Sequence, residues 1–145
     1  MRSIIAGNWK MNKTIAEAVG FAEELKAALK APPEREVIVA PPFTALQAVA
    51  QALRGSAVRL AAQNLHEAPK GAFTGEISAG MLQEAGCTHV IVGHSERRTL
   101  FAETDERINR KLRASLDASL TPIFCIGELL GEREAGNTEA VIERQ

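Results

Sequence analysis

Two alternating patterns of apolar residues run along the chain. Short, mostly β-branched runs at residues 3–6, 36–40, 58–62, 89–92 and 122–126 predict five strands. Four of them are nearly continuous apolar runs, as in a parallel sheet whose strands are covered on both faces. Between the strands the spacing turns helical. Ala18, Ala22, Leu25 and Leu29 share one face of a helix over 14–29, opened by a Thr14/Glu17 capping box and stopped by Pro32 and Pro33. Leu46, Val49, Ala50 and Leu53 mark a second helix, with Thr44 as N-cap and Gly55 as its stop. A third covers 78–85 and ends at Gly86, Ile108, Leu112 and Leu116 outline a fourth behind Thr104, and another helix begins after Glu128.

This strand-helix alternation calls for parallel strands joined by right-handed crossovers. Periodicity fits a doubly wound sheet and part of a closed barrel equally well. The longest irregular stretch is 63–76, and no Pro-, Gly- or Ser-rich linker divides the chain, so residues 1–145 are expected to form one domain.

Composition removes several classes of function. Seventeen Lys and Arg against eighteen Asp and Glu leave no basic field for nucleic acid or anionic lipid. No apolar run approaches the roughly 18 residues of a membrane span, and no secretory signal is visible, so a cytoplasmic protein without membrane or nucleic-acid partners is expected. Two cysteines and three histidines offer neither a disulfide framework nor metal-ligand spacing; Cys87 and Cys125 read as small buried residues. GxGxxG, P-loop and GxSxG motifs do not occur, and no metal or cofactor is expected.

In parallel α/β folds ligands gather at the carboxyl ends of the strands. Asn8 and Lys10 follow the first predicted strand, Gln63 and Asn64 the third, His94, Ser95 and Glu96 the fourth, and Gly127 and Glu128 the fifth. A lysine, a histidine and side-chain amides suit stabilisation of negative charge on a substrate oxygen, as in an enediolate beside a carbonyl. Glu96 is the only acid beside His94 and is equally suited to pairing with Lys10, so no carboxylate base is identified. Each residue has a plain structural alternative. Lys10 reads as a solvated surface cation, His94 as a satisfied structural histidine, and Glu96-Arg97-Arg98 as an exposed salt-bridged turn of little energetic weight. His66 and His89 read as structural.

Five segments in order carry a family resemblance: AGNWKMN at 6–12, AQN at 62–64, GAFTGEIS at 71–78, VGHSERR at 92–98 and TPIFCIGE at 121–128. Together they resemble triosephosphate isomerase over the whole chain. The resemblance implies an α/β fold, part of a (β/α)8 TIM barrel from the first strand to the fifth and part of the next helix. It implies that Asn8 and Lys10 contact a triose phosphate and that Lys10 offsets negative charge on the phosphate and in the transition state. His94 matches the neutral imidazole that polarises the substrate carbonyl from a helix N-terminus, with Ser95 beside it and Glu96 orienting Lys10. Loop 63–76 is similar to the family's intersubunit loop, whose Thr74 reaches the residues around Asn8 and Lys10 of a neighbour. A homodimer or larger homo-oligomer follows.

No segment of the kind YEPVWAIGTG occurs, and complete barrels of this kind need about 250 residues. The resemblance therefore implies that the general-base glutamate, the lid and the phosphate-binding loops are missing from these 145 residues. The chain is expected to be nearly or wholly inactive alone. It reads as an isomerase fragment, as half of a split isomerase, or as a non-catalytic self-associating half-barrel. Ser119 stands where relatives usually place glycine, a costly exchange if that backbone is left-handed.

Overall fold

The computed structural model describes residues 3–29 and 34–145; Pro32 and Pro33, the expected stop of the first helix, lie outside the described residues. Five strands, β1 (Ser3–Asn8), β2 (Arg35–Ala40), β3 (Arg59–Ala62), β4 (His89–Val92) and β5 (Thr121–Phe124), form one sheet. Its order is β1-β2-β3-β4-β5 and every neighbouring pair is parallel. A doubly wound sheet reverses its strand order at a switch point, whereas this one never reverses. The sheet is a curled half-barrel, open between β5 and β1.

Its two faces carry separate apolar clusters. On the outer face Val39, Leu60, Val90 and Val92 pack with Ala18, Ala22, Leu46, Val49 and Ile108 from the helices. On the inner face Ile38, Ala40, Ala61 and Ile91 form a second cluster with Ile123 and Cys125. Burial on both faces, expected for the apolar runs, holds for β2 to β4. It fails at the edges, where Ile4 is 61% and Ile5 53% exposed and β5 is only partly covered, because an edge strand has no neighbour on one side.

The helices follow their caps closely. Helix α1 (Ile15–Ala28) opens on a complete capping box: the Glu17 amide donates to Thr14 Oγ1 at 3.5 Å and the Thr14 amide to Glu17 Oε2 at 2.7 Å. A 3-10 turn (Phe43–Ala45) leads into α2 (Leu46–Ala52), and Thr44 is not its N-cap. Extended Pro42 delivers the chain directly into the turn, so Thr44 falls inside it and uncapped Ala45 precedes the helix. Ser78 caps α3 (Ala79–Glu84) and Thr104 caps α5 (Asp105–Asp117), both by accepting an amide on the side-chain oxygen. Helix α4 (Ser95–Leu100) follows β4 directly, so the stretch that composition alone reads as a salt-bridged turn is a helix beginning at His94, as the resemblance implies. The expected helix after Glu128 is two, α6 (Leu130–Glu134) and α7 (Thr138–Arg144), separated at Gly136.

Helices α3 and α5 end in the same way. After α3, Gly86 donates to Gln83 O at 2.9 Å and Cys87 to Leu82 O at 2.9 Å; after α5, Ser119 donates to Leu116 O at 2.9 Å and Leu120 to Ser115 O at 2.9 Å. Both are Schellman closures, which need a left-handed residue. Gly86 adopts φ 94° freely, and a Cβ there would sit 2.9 Å from Ala50 Cβ. Ser119 adopts φ 56° with a Cβ that penalises it. The left-handed conformation costs a non-glycine residue about 1–2 kcal/mol, against roughly 0.5–1 kcal/mol for the freer glycine chain. Urea denaturation should therefore find Ser119→Gly more stable by about 0.5–1 kcal/mol and Gly86→Ala less stable by about 1–3 kcal/mol. No gain from Ser119→Gly would contradict the strain assigned to that turn.

Candidate functional site

All five strands end on the same rim, and the predicted polar residues meet there. Asn8 is the last residue of β1 rather than the first after it, and its Oδ1 accepts the Lys10 amide at 3.0 Å. Lys10 is left-handed at φ 53°, which costs about 1–2 kcal/mol and has to be held by its surroundings. Gln63, one residue beyond β3, holds it: Nε2 donates to Lys10 O at 2.9 Å and to Ala40 O at 2.8 Å. Asn12 Nδ2 donates to Trp9 O at 2.8 Å and tightens the same loop. The outcome is a fixed direction for the Lys10 side chain, whose Nζ lies 2.5 Å from Glu96 Oε1. This bond from Lys10 is the main reason that the Glu96 carboxyl is held below the usual carboxylate range. Both side chains are about half exposed, so the pair orients more than it stabilises.

His94 is the N-cap of α4, and its Nδ1 accepts the Glu96 amide at 3.2 Å. Glu96 Oε2 lies 3.6 Å from the same nitrogen, outside hydrogen-bond range. An Nδ1 that accepts an N–H carries no proton, so the neutral ring keeps its proton on Nε2 and presents a donor. His94 borders both a cavity of about 180 Å³ on the inner wall, shared with Asn8, Ile38 and Ile91, and a cleft of about 690 Å³ shared with Ser95, Arg98, Cys125 and Glu128. Ser95 is exposed at the start of α4. Thr74 is exposed in loop 63–76, and none of the hydrogen bonds among the described residues joins it to Asn8 or Lys10.

Glu96, Arg97 and Arg98 are not the loose surface turn that their composition suggests. Glu103 Oε1 accepts both Arg97 Nε and Lys111 Nζ at 2.6 Å, and Lys111 Nζ also donates to Asn64 Oδ1 at 2.7 Å. Lys111 and Glu103 are fully buried. Burial alone would raise the Glu103 pKa, but the bonds from Lys111 and Arg97 hold it below the usual 4.5. Burial lowers the Lys111 pKa against the opposing pull of Glu103. Arg98 donates to Gly93 O at 2.9 Å and to Cys125 O at 3.3 Å and pairs with Asp105, tying α4 to β4, β5 and α5. Sequence reading missed Lys111, although its position is visible: three residues after Ile108 and four before Ser115, it lies on the buried stripe of α5.

The remaining candidates behave as packing. His66 is buried, its Nδ1 accepts the Ala68 amide at 3.0 Å, and its ring lies 4.0 Å from that of Phe73. His89 is buried beside Thr88 and Glu36, and burial lowers its pKa. Burial pushes the Cys87 thiol up to about 12, and raises that of Cys125, which is half-buried rather than buried as expected. Neither favours a thiolate.

A sequence profile of the triosephosphate isomerase family matches residues 3–145. Among curated relatives, the triosephosphate isomerases of Syntrophotalea carbinolica and Endomicrobium trichonymphae are 56% and 53% identical over 144 residues, 99% of this chain. That of Aquifex aeolicus is 51% identical over 145 residues. The chain spans 57%, 58% and 59% of their respective lengths. The crystal structure of triosephosphate isomerase from Bartonella henselae superposes with a TM-score of 0.94 at 40% identity, covering 99% of this chain and 60% of that one.

The buried network makes a stability prediction. Glu103→Gln leaves two cations facing no carboxylate and should cost about 3–5 kcal/mol in urea at pH 7. In the parent, the carboxylate's contribution is complete above pH 4.5 and is lost as pH falls through the depressed Glu103 value. The variant should lack that part of the acid loss. A cost under about 1 kcal/mol would contradict this picture.

Proposed function

Because the chain belongs to the triosephosphate isomerase family, we propose that these residues supply the charge-stabilising half of an isomerase site for dihydroxyacetone phosphate and glyceraldehyde 3-phosphate. The observation that supports this most directly is the His94 ring, with Nδ1 occupied by the Glu96 amide and its N–H donor left on Nε2. In this reading Nε2 polarises the substrate carbonyl, and the enediolate oxygen gains charge against it. Lys10 offsets the phosphate and the developing charge, Glu96 orients Lys10, Asn8 contacts substrate and Ser95 supports His94. Loss of one such donor typically costs about 10²–10³ in turnover.

The half that removes the carbon-bound proton is a separate matter. No segment of the type that bears the family's base, lid and phosphate loops occurs in these 145 residues. A positioned base supplies about 10²–10⁴-fold, and phosphate binding is used to orient the reacting centre. We therefore assign little or no turnover to the 145-residue chain alone. Proton abstraction comes from residues outside it, on the same polypeptide or on a C-terminal partner. The open inner wall and the exposed Ile4 and Ile5 at the β1 edge favour completion by further strands. Self-association, with Thr74 of loop 63–76 reaching the Asn8 and Lys10 region of a neighbouring copy, belongs to the same reading. So does a single domain across the chain.

A coupled isomerase assay tests this. The chain alone should fall at least about 10²-fold below the same chain mixed with a partial barrel carrying strands six to eight, and His94→Ala or Lys10→Ala should abolish the gain. Full turnover by the chain alone, lost in either variant, would mean that an internal carboxylate such as Glu96 or Glu128 serves as base. Absence of both binding and rate gain on mixing would remove the split-enzyme reading. Light scattering on the same samples should read a dimer or larger species, and a monomer at micromolar concentration would contradict self-association.

A further inference from the structure

Lys10 is held at both of its backbone polar groups. Its N–H goes to Asn8 Oδ1 at 3.0 Å and its carbonyl takes an N–H from Gln63 at 2.9 Å. The second proton on the same Gln63 nitrogen goes to Ala40 O at 2.8 Å, at the end of β2. Gln63 stands next to the end of β3, so one amide group fastens the ends of β2 and β3 to the loop after β1. Lys10 is left-handed without being glycine. Released, it relaxes to negative φ, and its Cα–Cβ bond then points elsewhere.

We infer that Gln63 is a positioning residue, which holds the strained Lys10 backbone so that Nζ meets Glu96 Oε1; the inference rests on the proposed role of Lys10 in binding an anionic substrate. The side chain has to be an amide. Lys10 O and Ala40 O each take one of the two protons of one NH₂ group, and Ala40 O also accepts the Trp9 amide at 3.0 Å. A carboxylate at position 63 has the length of glutamine but no proton to give, and it faces two carbonyl oxygens. An alanine leaves both carbonyls without this donor. Asn12 Nδ2 donates to Trp9 O at 2.8 Å and so helps hold the peptide group that carries the Lys10 N–H, whereas the Trp9–Phe21 edge contact, with ring centroids 5.3 Å apart, involves only side chains; neither bonds the Lys10 carbonyl.

The test is lysine-selective ¹³C NMR on the full chain, reading the two Hε protons of Lys10, which are inequivalent while the side chain is fixed and merge once it rotates freely. Lys26, whose Nζ is bound to Ala52 O at 3.3 Å far from the rim, is the internal reference for an intact fold. Gln63→Ala should lose the Lys10 inequivalence while Lys26 keeps its own. Gln63→Glu should lose it at pH 8 and recover it on acidification, when the new carboxyl regains one O–H for Lys10 O. Recovery with pH is the signature that a purely structural role would not give. The inference is overturned if Lys10 stays fixed in both variants, or if Lys10 and Lys26 are lost together. The underlying reading fails separately: titration with inorganic phosphate should move the Lys10 signal in the parent and be weakened about tenfold or more by Gln63→Ala. No response to phosphate in the parent would remove the anion role and leave the positioning result standing.

Discussion

The constraint on which the site depends is that five parallel strands lie side by side in sequence order. Every strand then ends on one rim, and the loop after each strand faces the loops after its neighbours. Lys10 and Glu96 are 86 positions apart and still meet, because β1 and β4 belong to one curled sheet with their carboxyl ends aligned. A single antiparallel strand or a one-residue slip in register would turn these side chains to another face or another end. The exposed Lys10–Glu96 pair itself adds little to stability. The sheet does the positioning, and the pair gives direction to a cation already brought there.

Rigid support behind the rim comes from two kinds of polar contact with different energetics. Half-exposed contacts, among them those of Asn8 and Gln63 with the strained Lys10 peptide, set direction. The fully buried Glu103–Lys111 pair, shared with Arg97 and Asn64, fixes where α4 sits against α5 and the end of β3. Because α4 begins at His94, the placement of that helix is also the placement of the imidazole and of the amide that occupies its Nδ1. The network thus reaches the site through the helix it anchors, without touching a substrate.

Much of this was legible in the sequence, for identifiable reasons. The apolar runs gave the strands, and Thr14, Ser78 and Thr104 gave helix starts, because capping oxygens act over three residues and are visible locally. Thr44 misled because the turn preceding α2 depends on Pro42 rather than on a cap. Helix α4 was implied only by the resemblance, with a helix N-terminus at His94, because SERRTL has no apolar stripe and no buried residue to signal it; it is held by Arg97 and Arg98 through partners distant in sequence. Asn8, Lys10, His94 and Glu96 stood out by position at strand ends, but the tautomer of His94 and the strain at Lys10 are tertiary properties. Gln63 was visible as a polar residue at the rim, and its work as a clamp was not, since both of its partners are backbone carbonyls.

The most direct test of the central claim is ¹⁵N NMR of the His94 ring, whose two nitrogen shifts report which of them carries the proton. The account predicts a proton on Nε2 and a bare Nδ1 accepting the Glu96 amide, with Nδ1 shifting when α4 is disturbed. A proton on Nδ1 would leave no donor facing a substrate carbonyl and would contradict the assignment of these residues as the charge-stabilising half of an isomerase site.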